Sequence, residues 1–275
     1  MKYRSYLIKI FRSALLIYVS ICLFMWVFQR HLVFLPLKGI EKPEIYGLHN
    51  FKVLSLKSSD DLHIQAWYRE AKKGYPTIIY FHGNGGNLGN RATYFNLLSE
   101  AGFGILALDY RGYGASEGDP SEEGFYQDSR ALMDYAAKTL SLKPDRIIIY
   151  GESIGTGVAV QMASEYSSAA LILQSPFTSM ESLAGNRYPW LPVHLLLKDR
   201  FDSLTKISKV HAPILVFHGE EDVIVPIESG KTIFADATGP KEAIYFPEKG
   251  HNDMDLELLT KDLVIFSNKY GLIKG

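Results

Sequence analysis

Residues 151–155 read Gly-Glu-Ser-Ile-Gly, a G-x-S-x-G pattern that places Ser153 between two glycines. The apolar run 146–150 precedes the pattern, and a helix-like stretch at 156–166 follows it. A sharp strand-to-helix turn strains the serine backbone, presents the hydroxyl above a sheet and leaves no room for flanking side chains. This context favours Ser153 as a nucleophile over an ordinary glycine turn, the alternative for so short a pattern.

A serine hydroxyl is a weak nucleophile until a positioned base accepts its proton, and a carboxylate must hold that base in the correct tautomer. The apolar run 214–218 leads into Gly-Glu-Glu-Asp at 219–222, and a carboxylate in the loop after such a strand suits the acid. We assign this role to Asp222. Glu220 and Glu221 are the alternative acids, and capping of the next helix is the alternative role for Asp222.

The base candidate is His251, which lies in a glycine-containing loop after a further short strand. It is the one histidine that follows Asp222 in the sequence. The others are expected to be surface or satisfied core residues: His31, His49, His63, His82, His194, His211 and His218.

The segment 82–87, His-Gly-Asn-Gly-Gly-Asn, follows a strand-like run at 77–81 and is called the glycine loop below. Acyl transfer builds negative charge on a carbonyl oxygen, and each backbone N–H aimed at that oxygen stabilises it by about 3 kcal/mol. We expect the amides of Ile154 and Asn84 to form this oxyanion hole, with His82 bracing the loop. A phosphate-binding loop is the competing interpretation, but neither G-x-G-x-x-G nor G-x-x-x-x-G-K-[ST] is present.

The segments HGNGGN, LDYRGYGASEG, GESIG, HGEEDVIVP and GHND together resemble the α/β-hydrolase superfamily, over about residues 30–275. More narrowly, the sequence is similar to single-pass, membrane-anchored serine hydrolases related to bud-emergence homologues and protein depalmitoylases. The resemblance implies an eight-stranded sheet, a triad in the order Ser153, Asp222 and His251, and esterase-like chemistry. It implies no particular substrate, because the superfamily hosts many chemistries on one scaffold.

The alternation of strand and helix patterns predicts an α/β-hydrolase fold with a mostly parallel sheet and helices on both faces. The predicted strands are 50–57, 62–69, 77–81, 104–108, 146–150, 169–173, 214–218 and 243–246, and the helices are 91–101, 121–140, 156–166, 227–237 and 254–270. The catalytic candidates all follow strand ends, where ligands bind in open sheets. Asp109 and Arg111 are expected to stabilise a loop, with substrate contact as the alternative.

Composition limits the partners and cofactors. The chain of 275 residues is 47% hydrophobic, which suits one large domain with a short appendage. A formal net charge of −1 gives no indication of a nucleic-acid partner. The single cysteine, Cys22, excludes an intrachain disulfide and a multi-cysteine metal site. The expected chemistry needs no metal and no organic cofactor.

The N-terminus carries four basic residues before an uncharged run at 13–29. Seventeen residues at about 1.5 Å each span about 25 Å, the short end of a membrane-spanning helix. We interpret residues 1–35 as a cytoplasmic tail and uncleaved signal anchor, and 36–275 as a catalytic domain on the non-cytoplasmic side. A cleaved signal peptide, a lipoprotein acylated at Cys22 and a buried core helix are the alternatives.

Residues 181–212, called the lid insertion, separate the sixth and seventh predicted strands and carry aromatic and aliphatic residues such as Tyr188, Trp190 and Leu195. In the fold that the sequence resembles, such insertions cover the active site. Contact with an acyl chain or a bilayer surface and packing on the domain are both open interpretations.

The sequence therefore predicts a serine hydrolase that cleaves carboxylic ester or thioester bonds of acyl or lipid-like substrates, bound to a bilayer through its N-terminal helix. Three alternatives remain: a protein depalmitoylase, a serine peptidase and a non-catalytic membrane-tethered binding module.

Overall fold

The computed structural model describes residues 2–39 and 42–274. Their strands are β1 (Leu35–Pro36), β2 (Lys52–Lys57), β3 (His63–Arg69), β4 (Thr77–Phe81), β5 (Gly85–Gly86), β6 (Gly104–Leu108), β7 (Ile147–Glu152), β8 (Ala170–Gln174), β9 (Ile214–Gly219) and β10 (Lys241–Phe246). Their α-helices are α1 (Lys2–Val33), α2 (Ala92–Ala101), α3 (Glu122–Lys138), α4 (Ile154–Glu165), α5 (Met180–Arg187), α6 (Val193–Leu196), α7 (Leu204–Ile207), α8 (Ile227–Asp236) and α9 (Leu256–Lys269).

Eight of the described strands form one sheet in the order β10-β9-β8-β7-β4-β6-β3-β2. The β2–β3 and β3–β6 pairs are antiparallel, and the other neighbouring pairs are parallel. Strands in a parallel sheet are buried on both faces, which explains the unbroken apolar runs of β4, β7 and β9. The predicted α/β fold with a mostly parallel eight-stranded sheet is confirmed.

Helices cover both faces of the sheet. Side chains alternate along β4, so that Ile79 and Phe81 join one buried cluster with α3 and α4, while Ile78 and Tyr80 join a second cluster with α2 and α9. The sheet is therefore held between two apolar layers, and its carboxyl edge is left to the loops that carry the candidate site.

The predicted elements match the observed ones to within a few residues, and the bounds of β4 and β6 are as predicted. The helix expected to begin at 156 instead begins at Ile154, because the turn after β7 is so tight that Ser153 itself is the N-cap residue. The short β1–β5 pair and the short helices of the lid insertion were not predicted.

The helix α1 extends beyond the predicted apolar run in both directions. By length and composition its segment Tyr3–Val33 could cross a membrane, and its most apolar part is exposed rather than buried. The alternative of a buried core helix is therefore wrong. The predicted division between residues 35 and 36 falls within β1, directly after this helix, and stays a prediction.

Candidate active site

The turn at Ser153 holds a backbone conformation that side chains rarely adopt, with φ 52° and ψ −120°. Such a conformation costs about 1–3 kcal/mol and persists only where the surroundings impose it. The two neighbouring glycines explain how the turn is accommodated. A Cβ on Gly151 would lie 2.5 Å from the carbonyl oxygen of Gly155, and a Cβ on Gly155 would overlap the carbonyl oxygen of Phe81. The predicted strain at Ser153 is present.

The structure brings Ser153, His251 and Asp222 together from the loops after β7, β10 and β9. His251 Nε2 lies 2.9 Å from Ser153 Oγ, and His251 Nδ1 lies 2.7 Å from Asp222 Oδ2. A carboxylate only accepts hydrogen bonds, so Nδ1 carries the ring proton and Nε2 presents a lone pair to the serine hydroxyl. This is the arrangement in which a histidine can accept the serine proton.

Asp222 is held by both of its carboxylate oxygens. Oδ2 accepts from His251, while Oδ1 accepts from the amides of Ile224 at 2.9 Å and Val225 at 2.8 Å. Burial alone would raise the pKa of Asp222, but the hydrogen bonds from His251 and the backbone amides outweigh burial and lower it. The carboxylate therefore stays ionised beside the imidazole and orders its own loop.

The alternative acids lie elsewhere. Glu220 and Glu221 are exposed. Their backbone amides donate to the carbonyl oxygens of Phe246 at 3.0 Å and Lys249 at 2.9 Å, which fastens the Asp222 loop to the His251 loop.

His218 is buried behind Asp222, with Nε2 donating to the carbonyl oxygen of Val225 at 2.8 Å. Burial lowers the pKa of His218, so its ring is neutral and serves as packing.

His82 fixes the orientation of the second predicted oxyanion donor, the backbone N–H of Asn84 in the glycine loop. The His82 ring donates from Nδ1 to the carbonyl oxygen of Gly83 at 2.7 Å. That carbonyl and the Asn84 N–H belong to one trans peptide group, so fixing the oxygen fixes the direction of the N–H. Burial and, secondarily, the charge of Arg91 lower the pKa of His82 to about 3, which keeps the ring neutral. None of the described residues accepts a hydrogen bond from the amides of Asn84 or Ile154.

The residues after α1 pair with this loop, a feature that the sequence did not reveal. Strand β1 lies parallel to β5, with Leu35 N donating to Asn84 O and Leu37 N donating to Gly86 O, both at 3.0 Å. The Asn84 side chain donates in return to the carbonyl oxygen of Val33 at 2.9 Å. Strands of two residues leave no alternation in the sequence, so no pattern could have predicted the pair.

A second feature missed from the sequence is the ion pair of Arg91 and Glu152. The guanidinium donates to the two carboxylate oxygens at 2.9 and 3.0 Å, and Tyr80 OH adds a third hydrogen bond at 2.7 Å. Burial would raise the pKa of Glu152, but the Arg91 charge and these hydrogen bonds lower it to about 2. Arg91 also donates to Gly85 O at 2.5 Å, which links β7 to the glycine loop. The sequence signal that could have indicated this ion pair is the carboxylate of Glu152 at the end of a buried strand.

A polar cavity of about 330 Å³ opens beside His251. Its walls include Arg91, Glu152 and Gln174, together with Asn252 and Met254. A cavity with these walls can take a polar part of a ligand next to His251.

The segment after β6 has the structural role expected for it. Arg111 pairs with the buried carboxylate of Asp128 at 2.9 Å and with Asp60 at 2.8 Å. Asp109 Oδ1 accepts from Leu88 N at 2.9 Å, which braces the segment following the glycine loop.

The lid insertion divides its apolar side chains between the two open interpretations. Leu191 and Val193 are buried against the rest of the protein. Tyr188, Trp190 and Leu195 are exposed, at 41%, 54% and 73%. Packing within the protein therefore accounts for only part of the apolar side chains of the lid insertion.

Comparison with known proteins identifies the family. A family model described as the alpha/beta hydrolase fold matches residues 76–203. The uncharacterized protein Rv2307c of Mycobacterium tuberculosis is 36% identical over 239 residues, which is 86% of this chain and 85% of that protein. Human alpha/beta hydrolase domain-containing protein 17B is 37% identical over 181 residues, 66% of this chain and 62% of that protein.

Solved structures share the fold. The Pyrococcus furiosus esterase PF2001 superposes with a TM-score of 0.70 at 18% identity, over 86% of this chain and 97% of that one. An acetyl xylan esterase from Paenibacillus gives a TM-score of 0.65 at 18% identity, over 81% of this chain and 85% of that one. The chain belongs to the α/β-hydrolase superfamily. The membership predicted from the motifs is confirmed, and the relatives include an abhydrolase-domain protein, the group that the sequence resembles.

Proposed function

We propose that this protein is a serine hydrolase that cleaves carboxylic ester or thioester bonds of acyl, lipid-like substrates. The observation that carries the proposal is the hydrogen-bonded series from Ser153 Oγ through the His251 ring to the Asp222 carboxylate, at 2.9 and 2.7 Å. The strained turn at Ser153 supports it, because strain of this kind persists at functional sites.

In the proposed reaction His251 Nε2 accepts the proton of Ser153 as Oγ attacks the carbonyl carbon. The amides of Ile154 and Asn84 stabilise the resulting oxyanion. His251 then protonates the departing alkoxide or thiolate as its bond to carbon breaks, which leaves an acyl-enzyme. A water that gives its proton to His251 attacks this ester, and His251 passes that proton to Ser153 Oγ as the bond between Oγ and the acyl carbon breaks, which releases the acid and the free serine. Asp222 stays ionised and holds the imidazole throughout.

The membrane attachment is part of the same proposal. Residues 1–35 act as a signal anchor, supported by the exposed, apolar surface of α1. Lys2, Arg4, Lys9 and Arg12 precede the apolar run, whereas Arg30 and Lys38 follow it closely. The excess of basic residues before the run orients the tail to the cytoplasm and residues 36–275 to the opposite side.

The test compares acyl substrates on purified full-length protein and its Ser153→Ala variant. Esters of membrane lipids, an S-acyl peptide and an aminoacyl amide distinguish an esterase, a depalmitoylase and a peptidase. We expect ester or thioester hydrolysis that Ser153→Ala abolishes. Hydrolysis of the amide alone would replace the proposal with a peptidase, and no hydrolysis by folded protein would favour a binding module.

A further inference from the structure

We infer that the lid insertion lies in the membrane leaflet next to the catalytic domain, and that the groove between the lid and α1 takes an acyl chain drawn from that leaflet. This deepens the proposed function and rests on it: α1 spans the membrane, and the substrate carries an acyl group.

The lid is fastened to α1 near the end of the helix that joins the domain. The Arg30 guanidinium pairs with Asp199 through hydrogen bonds of 2.7 and 3.0 Å. The Gln29 side chain donates to Leu196 O at 2.9 Å and accepts from Lys198 N at 2.8 Å. These contacts set the position of the lid along the helix.

A further contact lies deeper along the helix. Lys198 Nζ sits 4.0 Å from the centre of the Trp26 ring, and a tryptophan with a lysine is typical of the bilayer interface. Tyr18 precedes Trp26 by two helical turns, which is about 12 Å along the axis. The Tyr18 hydroxyl donates to the carbonyl oxygen of Trp190 at 2.9 Å. The lid therefore extends from the bilayer interface toward the hydrocarbon. The carbonyl oxygen of Trp190, which lipid could not hydrogen-bond, accepts its hydrogen bond from Tyr18 instead.

The exposed side chains of the lid suit this location. Trp190 is 54% exposed, and Tyr188 and Leu195 are also exposed on the short insertion. In water these apolar surfaces would stay hydrated at a cost, whereas an interfacial element buries them about 5–10 Å into the headgroup and acyl boundary. Because the helix beside them is apolar on its exposed surface, the bilayer is the partner that covers both.

The groove has a volume of about 140 Å³. It is lined from α1 by Met25, Gln29, Leu32 and Val33 and from the lid by apolar residues that include Ala184 and Leu191. Gln29 uses both its polar side-chain atoms within the protein, through Trp26 O, Leu196 O and Lys198 N. A groove so poor in free polar atoms favours a hydrocarbon chain over water.

The groove also contacts the glycine loop through one of its lining residues. Val33 lines it, and the carbonyl oxygen of Val33 accepts the hydrogen bond from the Asn84 side chain at 2.9 Å. A chain that enters the groove from the leaflet would therefore lie against Val33, the residue of α1 that contacts the glycine loop. The substrates expected from this geometry are acyl esters or thioesters resident in the leaflet.

The first test measures location without requiring catalysis. Full-length protein with Trp26→Phe is reconstituted in vesicles whose acyl chains carry bromine, which quenches nearby tryptophan fluorescence. Trp190 and the buried Trp67 remain as emitters. We expect strong quenching that disappears when Trp190→Phe is added, leaving the unquenched emission of Trp67. Equal, weak quenching of the Trp26→Phe protein and of the double variant with Trp190→Phe would contradict a lid in the leaflet, whether or not the protein is a hydrolase.

The second test measures use of the groove. Ala184→Phe narrows it, and Ile265→Ser changes an exposed apolar residue on α9 as a control. On full-length protein in vesicles, Ala184→Phe is expected to lower the ratio of kcat/KM for a long-chain lipid ester to kcat/KM for a soluble acetyl ester at least tenfold, whereas Ile265→Ser keeps the wild-type ratio. A ratio in Ala184→Phe equal to that of the wild type would overturn the acyl groove. Wild-type protein that cleaves neither ester would contradict the proposed hydrolase, while the quenching result would still stand.

Discussion

The side-chain amide of Asn84 donates a hydrogen bond of 2.9 Å to the carbonyl oxygen of Val33, the last residue of α1. The proposed membrane anchor and the proposed oxyanion loop are therefore in direct contact. The β1–β5 ladder extends this contact by two backbone hydrogen bonds. The proposed anchor and the glycine loop are thus joined by a segment only a few residues long.

Removing one hydrogen bond of this ladder should impair catalysis. Leu37→Pro deletes the N–H that donates to Gly86 O, at the position directly after β1, whose last residue is already a proline. We expect kcat to fall about tenfold with KM nearly unchanged, because an oxyanion donor acts mainly on the transition state. The measurement is ester hydrolysis, normalised to the fraction of protein that reacts with a fluorophosphonate.

Lys38→Pro is the matched control, since among the described residues the Lys38 amide donates no hydrogen bond. Its kcat should stay close to that of the wild type. Two variants with equal kcat per reactive site would show that the ladder does not orient the loop.

Asp222→Asn should separate the orientation of His251 from the integrity of the loop. Asparagine keeps an oxygen for the amides of Ile224 and Val225 but presents an NH2 group to His251 Nδ1. The imidazole then carries its proton on Nε2 and cannot accept one from Ser153, so kcat should fall about 10⁴-fold. Steady-state kinetics with Glu221→Gln as control check this, and loss of activity in the control instead would transfer the role to Glu221.

Arg91→Met should produce a pH-dependent loss of stability. The pKa of Glu152 is about 2 in the folded protein against an ordinary value of 4.5, so its pairing stabilises the fold above about pH 4.5 and is lost as the pH falls toward 2. At about 1.4 kcal/mol per unit of pKa shift this contribution is about 3.5 kcal/mol at neutral pH. We expect Arg91→Met to lower the free energy of unfolding by about 3–5 kcal/mol at pH 7 and by less than half as much at pH 3.

Urea unfolding at the two pH values tests this prediction, with Arg130→Met as the control. Arg130 pairs with Glu165 at 2.7 Å, but both side chains are about one-third exposed, so its loss should cost less than about 1 kcal/mol. Similar losses in the two variants would mean that the Arg91 pair is as weak as a surface pair.

Much of this site is predictable from the sequence, and the unpredicted remainder has a common physical cause. Long apolar runs ending in Gly-containing loops give the strands, and the loops after them carry Ser153, Asp222 and His251. The pairing of Arg91 with Glu152 joins residues 61 positions apart, and nothing local to either residue indicates the other. The contact of Tyr18 with Trp190 likewise depends on how a separate helix lies against the lid. Sequence patterns indicate local periodicity and motifs, whereas these two contacts depend on how helices and strands that are distant in the sequence are placed relative to one another.

The nucleophile itself can be tested by a single measurement. Full-length protein in membranes is treated with a fluorophosphonate and digested, and the modified peptide is identified by mass spectrometry, with Ser153→Ala as the control. We expect the adduct on Ser153 in the wild type and no adduct in the variant, because only a serine activated by His251 should react. An adduct on another serine, or equal labelling of wild type and variant, would contradict the proposed mechanism.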